Sequence, residues 1–186
     1  MKQIYIISSL LMNNPYLLEH LRSIQDFPIK GINFRDVTSL YKDAKCMQIM
    51  LDELYELYKD KGITKIVWIE SRWFVMASAL AAKLWAWVVL ARKPWKLPAE
   101  TISEEYEKEY GKDRIEIHKD AIDENDVVLI HDDLLATWWT MKATYNLAKK
   151  FNPKNIFINF IIEITDEWLH WRDLFEWVEL TTLMKL

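Results

Sequence analysis

Glycine is nearly missing from this chain, with 3 in 186 residues where ordinary usage of about 7% would supply roughly 13. Cysteine is rarer still. Cys46 stands alone, which excludes a disulfide framework and any cysteine-based metal cluster. There is no excess of positive charge either: 24 Lys and Arg face 28 Asp and Glu, a net charge of −4, and no basic block stands out. A nucleic-acid partner is therefore not expected. No stretch reaches the ~18 to 20 apolar residues of a membrane span, so no membrane partner is expected. The apolar run 4–12 behind Lys2 has no small-x-small cleavage site and stops at Asn13-Asn14-Pro15. It reads as a strand or arm packing on the domain or on a partner subunit, not as a secretory leader, and a cytoplasmic setting is expected.

What is abundant is apolar surface, 51% of residues, in a chain long enough to bury about two-thirds of its unfolded area. That composition describes one soluble domain spanning 1–186, with 1–20 as an N-terminal arm. Residues 44–60 place Met47, Met50, Leu51, Leu54 and Tyr58 at helical spacing before a stop at Lys61-Gly62. Short apolar runs follow at 63–69, 86–91, 127–131 and 156–162, with helical segments at 74–84 and 141–151 and a last strand candidate at 179–186. Strands that are apolar throughout and alternate with helices predict an α/β fold with a central, mostly parallel sheet covered by helices. Residues 92–112 break the pattern. Two prolines, clustered glutamates and no apolar stripe describe a flexible flap, which 114–118 closes as a hairpin.

The densest local signal lies at 127–140, where a buried strand delivers Asp132 and Asp133 just before a helix begins. In open α/β sheets, ligands sit beyond the carboxyl ends of strands, and a helix N-terminus there offers free N–H groups to a phosphate. Paired carboxylates suit sugar hydroxyls or a developing positive charge. Capping of the following helix is the structural alternative. His20, His118, His131 and His170 show no metal-ligand spacing.

A hydrophobic strand, Asp132-Asp133, two residues, Ala136-Thr137, two residues and Thr140 resembles the phosphoribosyl-pyrophosphate (PRPP) loop of type I phosphoribosyltransferases. Asp26-Phe27-Pro28, Gly31 to Asp36, Ile69 to Arg72, Arg92-Lys93-Pro94, Lys96-Leu97-Pro98 and Glu109-Tyr110-Gly111 extend the resemblance, in order, to the adenine phosphoribosyltransferase family. The resemblance implies a small N-terminal hood beside the sheet, a homodimer, and a reaction of adenine with magnesium-bound PRPP that gives AMP and pyrophosphate in purine salvage. It also implies roles for individual residues. Asp132 and Asp133 would hold the ribose, and Ala136, Thr137, Trp138, Trp139 and Thr140 the 5′-phosphate. Ser71, Arg72, Arg92, Lys93 and Lys96 would attend the pyrophosphate, with Mg²⁺ bound mainly through PRPP and Arg92 acting across a dimer interface. Glu109 would exchange a proton with the purine, and Asn33, Phe34, Arg35 and Leu134 would frame the adenine ring. A PRPP-binding relative without turnover and an inert scaffold are the alternatives.

The chain departs from the family pattern at its glycines. Tryptophan stands at 68, 73, 85, 87, 95, 138 and 139, where the family has glycine. An indole cannot easily adopt φ > 0 or admit a phosphate to the backbone, so crowding is expected at these positions, and weak PRPP binding at 138–139.

Overall fold

The computed structural model describes residues 13–69, 74–108, 111–135, 138–165, 175 and 178–186, the side chains of 74, 108, 135 and 138 excepted. At its centre lie β3 (Lys65–Ile69), β4 (Trp87–Ala91), β7 (Val127–Leu135), β8 (Asn155–Glu163) and β9 (Glu179–Lys185). They pair in the order β4-β3-β7-β8-β9, every pair parallel. Burial on both faces explains the continuous apolar runs: Ile66 to Ile69 of β3 and Phe157 to Ile162 of β8 are all buried or nearly so.

On one face pack α1 (Pro15–His20), α3 (Ala44–Tyr58) and α4 (Phe74–Leu84), through Leu17, Met50, Leu54, Met76 and Leu80 against Ile66, Trp68 and Leu129. The other face is covered by α5 (Trp138–Lys149) and by the antiparallel hairpin of β5 (Thr101–Lys108) and β6 (Gly111–His118), which bring Met141, Leu147, Ile115 and Ile117 onto Val67, Val128 and Ile158. A second small antiparallel pair, β1 (Arg22–Gln25) and β2 (Asn33–Asp36), leads into the short helix α2 (Thr38–Tyr41). In α3, Asp43 caps the first turn by accepting from the Cys46 amide at 2.7 Å, and the buried stripe is Cys46, Met50, Leu54 and Tyr58.

The apolar run 4–12 lies outside the described residues; beyond it Pro15 suits the first helical position of α1 and Asn14 caps it, accepting from the Tyr16 amide at 3.0 Å. Residues 101–108, inside the stretch read as a flap that closes as a hairpin, form a full strand in register with 111–118. Two boundaries need correction. The strand read as 127–131 runs on to Leu135, so both aspartates lie within it, and the helix read from 141 begins at Trp138.

The tryptophans divide by environment. Trp68 is enclosed at 4% exposure, whereas Trp85, Trp87 and Trp95 are 94%, 74% and 92% exposed, so overpacking does not arise at those three. What two of them bear is backbone strain. Trp85 follows α4 with φ +57°, and the Ala86 amide donates to the Ala81 carbonyl at 3.0 Å, the helix-ending motif whose left-handed residue is usually glycine. Trp95 has φ +68° behind Pro94, and the Lys96 amide donates to the Lys93 carbonyl at 3.3 Å, the pattern of a type II turn that wants glycine third. A left-handed conformation costs a residue with a Cβ about 1–2 kcal/mol. Trp85→Gly is therefore expected to raise the unfolding free energy by about 1 kcal/mol in urea titration, part of the relief being offset by glycine's unfolded-state entropy. Trp87→Gly, at an extended strand position, is expected to give no gain.

Candidate active site

Because the strands are parallel, their C-terminal ends share one rim. β7 brings Asp132 and Asp133 there, with Asp132 opposite Phe160 of β8 and Leu134 opposite Ile162. β3 ends on the same rim at Ile69, just ahead of residues 70–73, and β4 ends there at Ala91, just ahead of Arg92. Strand alternation sends neighbouring side chains to opposite faces, so Asp133 shares its face with His131 and Asp132 takes the other.

The two acids perturb their surroundings. Burial, then the adjacent Asp133 carboxylate, pushes the Asp132 pKa well above the usual carboxylate range, although the Asp133 amide, 3.0 Å from Asp132 Oδ1, acts against this by donating to it. On the α3 side, burial and the charges of Asp133 and Asp132 push the Tyr41 phenol upward. Tyr41 is a site residue the sequence did not announce: it ends a four-residue helix whose spacing carries no pattern. His131, buried beneath the pair, is pulled down to about 4 by desolvation, despite its hydrogen bond to Asn159.

Trp138, Trp139 and Thr140 form the first turn of α5, and the Thr140 carbonyl accepts from Thr144 Oγ1 at 2.8 Å. Trp139 lines a hollow between α5 and the hairpin together with Glu105, Tyr106, Glu107 and Lys142. Ala136, Thr137, Ser71, Arg72 and Glu109 lie outside the described residues, Glu109 directly following β5. At the hairpin base, Arg92 and Glu116 exchange backbone hydrogen bonds of 2.9 and 2.7 Å, and Lys93 lies 3.7 Å from Asp113. Lys96 is exposed. The structure thus brings Arg92 and Lys93 to the rim and clamps the hairpin there.

Asn33, Phe34 and Arg35 sit on β2. Phe34 meets Phe27 edge-on at 5.2 Å, and Arg35 Nη1 donates to Ser23 Oγ. The Asn33 carboxamide oxygen is buried without a partner among the described residues. Such an acceptor is costly unless a ligand donor satisfies it. Asp36 anchors this unit to α2 by accepting from the side chain of Arg22 and from the Thr38 amide, the latter at 3.0 Å. Leu134 packs against the α3-side core together with Tyr41. Among the described residues no group of three or more His, Cys, Asp or Glu is arranged to hold a metal ion.

A parallel sheet with paired acids at its rim, a helix N-terminus immediately behind them and cationic residues entering from neighbouring strand ends defines a sugar-phosphate-handling α/β protein. Known proteins narrow the class. The adenine phosphoribosyltransferase of Phocaeicola vulgatus is 63% identical over 153 residues, 82% of this chain and 88% of the relative. The crystal structure of adenine phosphoribosyltransferase from Thermoanaerobacter pseudethanolicus matches with a TM-score of 0.84 at 39% identity, covering 92% of this chain and 99% of that one. The Saccharomyces cerevisiae enzyme, complexed with an imino-altritol bisphosphate and adenine, matches with a TM-score of 0.82 at 33% identity over 91% of this chain and 97% of its own. No family model matches the chain. The chain belongs to the adenine phosphoribosyltransferase family.

The depressed His131 pKa has a consequence for stability. Its folded value lies below the ordinary 6.5, so the unfolded chain takes up a proton that the folded chain refuses. The stabilisation is present above pH 6.5 and is lost as pH falls toward about 4. His131→Asn is expected to flatten that fall when urea unfolding is followed from pH 7 to pH 4.

Proposed function

We propose that this chain transfers the phosphoribosyl group of PRPP to adenine, releasing pyrophosphate and forming AMP in purine salvage. The observation that carries the reading is the pair Asp132-Asp133 at the rim of a buried parallel strand, directly ahead of α5, in a chain of this family. As the C1′–oxygen bond to the diphosphate breaks and the bond from the purine nitrogen to C1′ forms, positive charge develops on the ribose ring. Nearby carboxylates stabilise such charge, as in glycoside chemistry.

The roles follow the rim. Asp132 and Asp133 hold the ribose hydroxyls. The segment Ala136, Thr137, Trp138, Trp139 and Thr140 presents its amides to the 5′-phosphate. Ser71, Arg72, Arg92, Lys93 and Lys96 neutralise the departing diphosphate, Arg92 from a partner copy in a homodimer. The carboxylate oxygens of Asp132 and Asp133 would face an Mg²⁺ ion held mainly by PRPP, which would offset charge on the diphosphate when bound. Asn33, Phe34, Arg35 and Leu134 frame adenine, with the buried Asn33 oxygen available to a purine N–H. Glu109 takes the proton that the purine nitrogen loses. The hairpin covers the reacting atoms and excludes water. The setting is cytoplasmic.

A second reading rests on the tryptophans in the first turn of α5: their bulk at the phosphate-binding segment weakens PRPP binding and holds turnover down. Calorimetric titration with Mg-PRPP separates the two. Micromolar binding by the chain as it stands would remove the second reading. Weak binding that tightens at least about tenfold, or ~1.4 kcal/mol, in the Trp138→Gly/Trp139→Gly chain would support it.

Formation of AMP from adenine and PRPP, followed by chromatography, tests the assignment itself. Asp132→Asn is expected to lower kcat/KM by about a hundredfold or more, ~2.7 kcal/mol of transition-state stabilisation. The same variant is expected to unfold at higher urea than the parent at pH 7. Asp132's raised pKa means that the folded state favours its protonated form, so its ionisation costs stability above the folded pKa and the gap closes as pH falls.

A further inference from the structure

Directly behind the acid pair, a row of polar side chains crosses the sheet interior. His131 of β7, Asn159 of β8 and Thr181 of β9 are register partners, all buried. Asn159 Nδ2 donates to Thr181 Oγ1 at 2.8 Å and to the Thr181 carbonyl at 3.3 Å. A carbonyl only accepts, so the amide nitrogen of Asn159 must face Thr181 and its oxygen must face His131. The 2.8 Å contact between His131 Nδ1 and Asn159 Oδ1 is then a hydrogen bond donated by the imidazole, which fixes the Nδ1–H tautomer. At the far end, Thr181 Oγ1 and the fully buried Tyr58 hydroxyl of α3 share a hydrogen bond of 2.5 Å.

The rows on either side are built differently. Ile130, Ile158 and Leu180 form a wholly apolar row, and in the row of Asp132, Phe160 and Thr182 the centre is again apolar. A polar row in a sheet core gains little net stability over well-packed hydrocarbon, but once every member is bonded it fixes one geometry. This row is one residue from Asp132 and two from Asp133, which shares its face. Its imidazole is uncharged at neutral pH, so it holds the strand end without neutralising the acids.

We infer that the row His131–Asn159–Thr181–Tyr58 is a positioning device for Asp133, locking the rim end of β7 to β9 and α3 so that the carboxylate meets the ribose in one place. The inference rests on the reading of the acid pair as the ribose-binding group. His131, Asn159, Thr181 and Tyr58 act through Asp133 as positioning residues.

Two measurements test it. In steady-state AMP formation, His131→Leu is expected to raise KM for PRPP by about tenfold while KM for adenine stays within about twofold. His131→Asn, whose side-chain amide can donate to Asn159, is expected to restore most of the loss. Equal changes in both KM values, or no rescue by asparagine, would overturn the inference, because a merely structural defect lowers the active fraction without singling out one substrate. Nitrogen-15 NMR of the histidines in the unsubstituted chain is expected to show His131 neutral at pH 7 and protonated on Nδ1. A resonance from the Nε2–H tautomer would overturn the row as drawn. If the unsubstituted chain forms no AMP and binds no Mg-PRPP, that result counts against the assigned reaction or for the tryptophan block. The kinetic arm then passes to the Trp138→Gly/Trp139→Gly chain, and the tautomer result decides the row by itself.

Discussion

Carrying two carboxylates to the rim on a strand otherwise sealed in hydrocarbon is the constraint around which this structure is arranged. β7 is a central strand, paired with β3 from Val128 to His131 and with β8 on to Leu135, so Asp132 and Asp133 are tied to the β8 side and cannot swing away from the rim as loop residues would. Their placement has an electrostatic cost, visible in the upward shift of Asp132. It is a cost that functional sites commonly bear, because charge held in place before a ligand arrives need not be reorganised afterwards. The parallel topology then does the rest: it turns three separate strand ends into one edge where acids, cations and a helix N-terminus meet.

The layout of that edge was largely legible in the sequence, because it depends on patterns that stand out locally. Apolar runs of five to seven residues separated by helical stripes reported β3, β4, β7 and β8, with β9 as a last candidate. Elements whose partners lie elsewhere were harder to see. Thr101–Lys108 is rich in glutamate and has no stripe of its own, and it becomes a strand because Ile115 and Ile117 on its partner supply the buried face. β7 was read too short because paired aspartates usually mark a strand's end, whereas here register with Phe160 and Ile162 carries the strand past them. Tyr41, and the row formed by Asn159, Thr181 and Tyr58, had no sequence signature at all. Those residues are 22 to 123 positions apart in pairs and meet only through sheet register and the seating of α3.

The glycine deficit affects the molecule unevenly. Where a surface turn needs a left-handed residue, at Trp85 and Trp95, the backbone keeps the turn and the indole projects into solvent. Such strain is local, and the sheet, whose strands contain no left-handed residue among those described, is untouched by it. At 138–139 the same exchange falls in the first turn of α5 beside the acid pair. One residue type therefore strains the backbone at two surface turns and occupies a regular helical turn at a third place, in separate elements of the fold.

The outer edge of β4 has a bearing on how the protein behaves in concentrated solution. Its residues, Trp87-Val88-Val89-Leu90-Ala91, carry no charge and pair only with β3 among the described residues, while Trp87 and Val88 stand open to water. Natural sheets usually guard such a margin with lysine, proline or a bulge. Here the nearest safeguard is Lys65, whose ammonium lies 5.4 Å from the Trp87 ring centre. Self-association by strand pairing would thus begin at the Trp87 end of this margin, opposite the strand's carboxyl end, and its onset would depend on salt because screening weakens the cation beside it.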